Sequence, residues 1–197
     1  NKTMQQTIRK SMFAALLVLS ATAADGAVRY VAPGGSGDGT SWQQAMADLQ
    51  EAIDVSSAGD EIWVAAGTYK PEKKIKSNKP TSKAFMLKDG VSLYGGFAGT
   101  EVSLQERAVG AAPYEMVNAT VLSADDDTPD VWERMIAEAT TYRWEWKLEN
   151  NQVPGTKSNS SHVLYTAATL VAPTVVDGFT LTGANANVAT AKPSGGA

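Results

Sequence analysis

Cysteine is absent from these 197 residues. That removes a disulfide framework, a thiolate metal site and a cysteine nucleophile. Histidine occurs once, at His162. No site needing several imidazoles can be built, and a Ser-His-Asp triad has a single candidate base. His162 lies in an apolar stretch and reads as a structural strand residue rather than a base. Basic residues are outnumbered: 17 Lys and Arg against 21 Asp and Glu leave a net charge of −4. That balance argues against nucleic acid as a partner, because phosphate binding needs a basic face. The glycine-rich stretch Pro33–Gly39 is not followed by the Gly-Lys-Ser/Thr that a phosphate loop requires. Helix-forming residues do not dominate; Gly, Ala, Thr, Val and Ser do, which favours short strands and many turns.

The length suits one domain with a sizeable core. The first 23 residues read as a secretory signal peptide. Lys2, Arg9 and Lys10 are its positive end, Met12–Leu19 its apolar run, and Ala21-Thr22-Ala23 its cleavage site. The apolar run is far shorter than the roughly 20 residues of a membrane-spanning helix. Removal of residues 1–23 takes away three positive charges and leaves the mature chain, beginning at Ala24, near −7. A secreted or cell-surface location follows, with no transmembrane segment in the mature chain. Without disulfides, such a chain depends on its core and its backbone ladder.

The organising stretch is Phe85–Glu101. Phe85-Met86-Leu87 and Val91-Ser92-Leu93-Tyr94 flank an Asp89-Gly90 turn, where Gly supplies positive φ. The second run closes on Gly95-Gly96, expected to be a sharp bend or a close backbone approach. Similar units recur. Val28–Val31, Glu61–Ala65, Ala119–Ser123, His162–Tyr165 and Thr174–Gly183 read as strands, and Ala66–Tyr69 as a corner. Phe179 is expected to face the core. Asn185 and Asn187 suit a corner where asparagines stack on successive coils. The pattern is that of a coil of short strands.

Several segments stand apart from it. Thr40 or Ser41 caps an expected helix in which Trp42, Ala45, Met46, Leu49, Ala52 and Ile53 form one apolar stripe. Its structural use is to cover the open end of the coil; docking a partner is the alternative. Residues 70–83 carry Lys70, Lys73, Lys74, Lys76, Lys79 and Lys83, read as a solvated loop or as a site for an acidic polysaccharide or other anionic surface polymer. Asp125, Asp126 and Asp127 form an acidic turn or contribute to a Ca²⁺ site, although adjacent residues cannot all point at one ion. Residues 128–160 look like an insertion with a short helix near Val131–Ala139. Within it, Tyr142–Glu149 alternates strictly. Tyr142, Trp144, Trp146 and Leu148 share one face, either packing on the coil or offering a stacking platform for sugar rings.

The segments YVAPGGSGDGTSWQQA (Tyr30–Ala45), GDEIWVAAGTY (Gly59–Tyr69), VSLYGGFAGTE (Val91–Glu101), TVLSADDD (Thr120–Asp127), NSSHVLY (Asn159–Tyr165) and VVDGFTLTGANAN (Val175–Asn187) resemble the N-terminal part of a family of exported Bacteroidota proteins. That family has the pectin-lyase-like fold and is related to polymorphic outer-membrane-protein repeats. The chain departs from it at Ala124 and near Ala184, where glycine is common. The resemblance implies an all-β right-handed parallel β-helix, a solenoid, with a short N-terminal capping α-helix. Residues 24–197 would be the cap and first coils of a longer solenoid. It implies an adhesin-like, non-catalytic role at the outer surface, with glycans or host and cell-surface components as partners. The alternative is a carbohydrate-active enzyme, a polysaccharide lyase or glycoside hydrolase, whose active coils lie downstream. No catalytic constellation is visible in the residues themselves.

Overall fold

The computed structural model describes residues 26–112, 115–128 and 156–186. The expected signal peptide, the Val131–Ala139 helix, the alternating Tyr142–Glu149 run and Asn187 lie outside the described residues.

The described chain is mainly β, with parallel strands and one helix. Strand β1 (Val28–Val31) is followed by helix α1 (Leu49–Val55). Then come β2 (Glu61–Ala65), β3 (Gly67–Tyr69), β4 (Phe85–Met86), β5 (Ser92–Phe97), β6 (Thr120–Ser123), β7 (Leu164–Tyr165), β8 (Val176–Asp177) and β9 (Phe179–Thr182). Three parallel sheets result, ordered β1-β2-β5-β8, β3-β6-β9 and β4-β7. The chain visits them in a fixed order: β2, β3, β4, then β5, β6, β7, then β8, β9.

Register keeps like residues above like. Ile62, Leu93 and Val176 align in the first sheet, Tyr69, Leu122 and Leu181 in the second, and Phe85 and Leu164 in the third. Ile62, Leu93, Leu122 and Phe85 are fully or almost fully buried in one shared core. Each such side chain contributes about 1.5–3 kcal/mol by leaving water. Phe179 packs on that core while remaining half-exposed.

The expected helix over residues 40–53 is broken. Ser41 caps only a 3₁₀ turn, Trp42–Gln44. Met46 instead pairs with β1: its N–H donates to the Tyr30 carbonyl and its carbonyl accepts from the Ala32 N–H, both at 2.9 Å. Those bonds take the backbone groups that a continuous helix would need. The helix restarts at Leu49, where the Asp48 carboxylate accepts the Gln50 and Glu51 N–H groups. From Ala45 on the apolar stripe faces inward, with Ala45, Met46, Leu49, Ala52 and Ile53 all buried, but its first member, Trp42, is only half-buried and lies outside that core.

Helix α1 packs against β1, β2 and β4. Gln50 does the work of a missing strand there. Its amide oxygen accepts the Met86 N–H at 2.7 Å and its amide nitrogen donates to the Met86 carbonyl at 3.3 Å. A sheet edge is thereby closed by one side chain. Lys88 donates to the carbonyls of Asp54 and Ser56 at the helix C-terminus, where a cation is favoured.

The Ala66–Tyr69 corner changes, and of the two readings of Gly95-Gly96 the close backbone approach holds. Gly67–Tyr69 is a strand, not only a corner. Gly95-Gly96 lies inside β5, which runs on to Phe97. Trp63 faces Tyr94 while Ala65 faces Phe97, so β5 carries an extra residue, a bulge. Gly96 has φ +90, and a Cβ on Gly95 would lie 2.5 Å from the Gly178 carbonyl oxygen. Thr120 completes the corner: its hydroxyl accepts the Gly96 N–H at 2.9 Å and lies 3.3 Å from the Val64 and Ala65 carbonyl oxygens. The strand expected from His162 begins only at Leu164.

Candidate functional site

The Asp125–Asp127 corner leaves β6 and turns sharply, with Asp127 at φ +67. Its carboxylates are engaged separately. The Asp127 N–H donates to Asp125 Oδ1 at 2.9 Å and the Thr128 N–H to Asp126 Oδ1 at 3.0 Å. Asp127 itself pairs with Lys70. Asn159 braces the corner by accepting the Asp126 N–H at 3.2 Å. Hydrogen bonds from the Ser158 hydroxyl and then the Thr128 backbone hold the Asp126 carboxyl below its ordinary value. The three side chains build a corner, as short acidic residues do in turns. Among the described residues no group of three or more His, Asp or Glu side chains is placed to hold a metal ion. Asn185 donates through its side-chain amide to the Thr156 carbonyl at 2.8 Å.

Among the described residues no carboxylate orients His162. A triad histidine is oriented by a carboxylate on Nδ1. Among the described residues Nδ1 is buried without a hydrogen-bond partner, and the ring meets Tyr165 edge-on at 6.1 Å. Tyr142, Trp144 and Trp146, the expected sugar platform, lie outside the described residues.

A different aromatic group emerges on the outer side of the first sheet. Tyr30, Trp63 and Tyr94 are aligned by register. Trp42 and Phe97 join them, with Tyr30–Trp42 centroids 4.7 Å apart and Trp63–Phe97 stacked at 4.8 Å. The indole N–H of Trp42 donates to the Glu101 carbonyl, and that of Trp63 to the Glu61 carboxylate. The fourth position of the row is Asp177, and there Arg107 takes over. Its guanidinium donates to Asp177 at 2.7 Å and to the Gly95 carbonyl at 3.0 Å, while lying over the Tyr94 and Phe97 rings. Glu101 anchors the covering loop by accepting the Ala98, Gly99 and Thr100 N–H groups at 2.6–3.0 Å. Burial would raise its carboxyl, but those backbone donors outweigh burial and hold it below the ordinary glutamate value.

Since Trp63 and Phe97 are buried, this cluster is a second apolar layer and not an open platform. Its sequence signal was the aromatic at the centre of Arg29-Tyr30-Val31, Ile62-Trp63-Val64 and Leu93-Tyr94-Gly95. Reading it required the inter-strand register.

The 70–83 loop offers the opposite: charge in the open. Lys70 pairs with Asp127, Lys73 with Asp54 at 2.8 Å and Lys83 with Glu72 at 2.6 Å. Lys74, Lys76 and Lys79 are exposed. Among the described residues they make no ion pair. Among those residues, too, no helix is long and apolar enough to cross a membrane.

Comparison with protein-family models, with curated proteins and with solved structures returned no match.

Proposed function

We propose that the chain is the N-terminal cap and first coils of a right-handed parallel β-helix in an exported, cell-surface protein. Its role in this reading is non-catalytic, adhesin-like binding or support. The fixed order in which the chain visits three parallel sheets supports the coil, and parallel crossovers are right-handed in nearly all proteins. The signal-peptide pattern of residues 1–23 supports export. The observation that carries the role is how the carboxylates are used. Asp48, Asp60, Asp89, Glu101, Asp125 and Asp126 all accept backbone N–H groups at helix starts and corners. Such groups hold a scaffold in shape; a general acid or base must instead be directed at a substrate.

Two measurements test this reading. Thr68, Val121 and Thr180 are in-register partners on the three neighbouring strands β3, β6 and β9. Neighbouring parallel strands lie about 4.8 Å apart, within the Cα range of a disulfide. In a chain without native cysteine, T68C/V121C and V121C/T180C should each crosslink on oxidation. Failure of both pairs would refute the coil. Separately, the purified chain incubated with uronate-containing and neutral polysaccharides should release no new chain ends. Measurable depolymerisation would overturn the non-catalytic role and favour a lyase or hydrolase.

A further inference from the structure

Residues 70–83 hold six lysines and one acid, Glu72, in a chain with 21 acids and 17 basic residues overall. The loop is well braced. Lys74 and Lys83 form an antiparallel bridge, and the Ile75 N–H donates to the Ser82 carbonyl at 2.7 Å. Ser82 is buried; its hydroxyl accepts the Lys76 N–H at 3.1 Å and lies 2.7 Å from the carbonyl oxygens of Lys76 and Lys79. Lys73 ties the base to α1 through Asp54. Burial would raise the Asp54 carboxyl, but hydrogen bonds from Lys73 and Gln50 outweigh it and hold that carboxyl below its ordinary value.

This bracing gathers positive charge where stability alone would disperse it. The Lys79 N–H donates to the Lys76 carbonyl at 3.1 Å, so these residues open and close one tight turn, with Cα atoms within about 7 Å. Lys74 stands directly opposite Lys83, an arrangement of like charges that costs stability. Glu72 neutralises Lys83, leaving Lys74, Lys76 and Lys79 exposed without ion partners among the described residues.

We propose that Lys74, Lys76 and Lys79 on this preformed loop bind a linear anionic polysaccharide bearing carboxylate or sulfate groups. This deepens, and rests on, the reading of the chain as an exported binding module. A lysine ammonium is a compact, hydrated point charge suited to spaced anionic groups. Ser77, Asn78 and Thr81 lie between and beside the lysines and offer hydrogen-bonding groups to sugar hydroxyls. The tip carries no Trp, Phe or Leu to enter a lipid interface and no aromatic ring on which a base could stack. Because the loop is already ordered, little conformational freedom is lost on binding.

The test uses the whole chain against immobilised polygalacturonate and dextran sulfate, with neutral dextran as control. Binding to at least one anionic glycan, and none to dextran, is expected. It should weaken steeply as salt rises to roughly 0.5 M. The K74Q/K76Q/K79Q variant should bind at least about tenfold more weakly, with a melting temperature no lower than the wild type's showing that its fold is intact. Absence of glycan binding, or variant binding equal to that of the wild type, would overturn the proposal. So would tighter binding to phosphatidylserine vesicles or duplex DNA than to either glycan. Cleavage of a bound glycan would overturn the non-catalytic role while leaving the loop assignment standing. Conversely, an unaffected lysine variant would remove the loop assignment and leave the scaffold reading intact.

Discussion

Arg107 and Lys76 carry the same charge in contrasting surroundings. The Arg107 side chain is 13% exposed, lies over two aromatic rings, and donates to Asp177 and to the carbonyls of Gly95 and Leu104. It joins the neighbouring strands β5 and β8. Lys76 contributes its backbone to the 70–83 loop, while its ammonium group faces solvent. Around Arg107, one guanidinium engages the Leu104 and Gly95 carbonyls and the Asp177 carboxylate. On the loop, the backbone is closed and the charge is left over. A charge whose removal costs nothing in stability is available for recognition, and substitutions at the two regions measure that difference.

The largest effect belongs to the corner beneath Arg107. Gly95→Ala places a methyl group 2.5 Å from the Gly178 carbonyl oxygen, about 3.0 Å from Phe179 and about 3.0 Å from Thr120. Backbone on two neighbouring strands must shift, and thermal or urea unfolding should show a loss of about 3 kcal/mol. Wild-type stability in this variant would mean that β5 and β8 are not as close as described. Arg107→Ala should follow at about 2 kcal/mol, since it leaves the Gly95 carbonyl without its donor and removes the cation from the Tyr94 and Phe97 rings. Arg107→Lys should recover only part of that loss, because one ammonium cannot reproduce a planar fork that reaches three acceptors.

Glu101 gives a smaller effect with a pH signature. Its folded-state carboxyl is held below the ordinary value. Its stabilisation is therefore fully present above the unfolded value, near 4.3, and is lost as pH falls through the lower folded value. Glu101→Gln should destabilise by about 2 kcal/mol at neutral pH. The gap to the wild type should close in acid below about pH 4. A gap that persists unchanged into acid would show that the carboxylate charge contributes nothing to holding the Ala98–Thr100 backbone.

Local chemistry made some of these features visible in the sequence and pairing hid others. Asp89-Gly90 announced its turn through residue type alone, and the turn is there, with Asp89 also accepting the Val171 and Ala172 N–H groups of the segment before β8. The apolar stripe from Ala45 to Ile53 correctly marked an inward face, yet periodicity could not show that β1 claims the backbone of Met46. Gly95-Gly96 read as a sharp bend or a close backbone approach, because glycine permits either. Only the partner strand reveals that one glycine makes room for Gly178 and the other forms a bulge within a strand. The aromatic layer was missed for the same reason: Tyr30, Trp63 and Tyr94 are far apart in sequence and adjacent only through register. Lys70 and Asp127 were each singled out, but 57 positions of separation concealed their pairing.

The smallest expected effect is the most informative about the loop. Lys74→Gln removes one member of the opposed Lys74–Lys83 pair and breaks no ion pair. At low salt the variant should be slightly more stable than the wild type, by about 0.3 kcal/mol, since like charges directly opposite each other repel. For a chain of this length that corresponds to a rise in melting temperature of roughly 1 °C. The gain should vanish in about 1 M salt, where charges more than about 3 Å apart are screened. Lys83→Gln should show no such gain, because it also removes the partner of Glu72. A destabilised Lys74→Gln variant would mean that this ammonium supports the loop, placing it with Arg107 among the structural charges and removing it from the set available to a ligand.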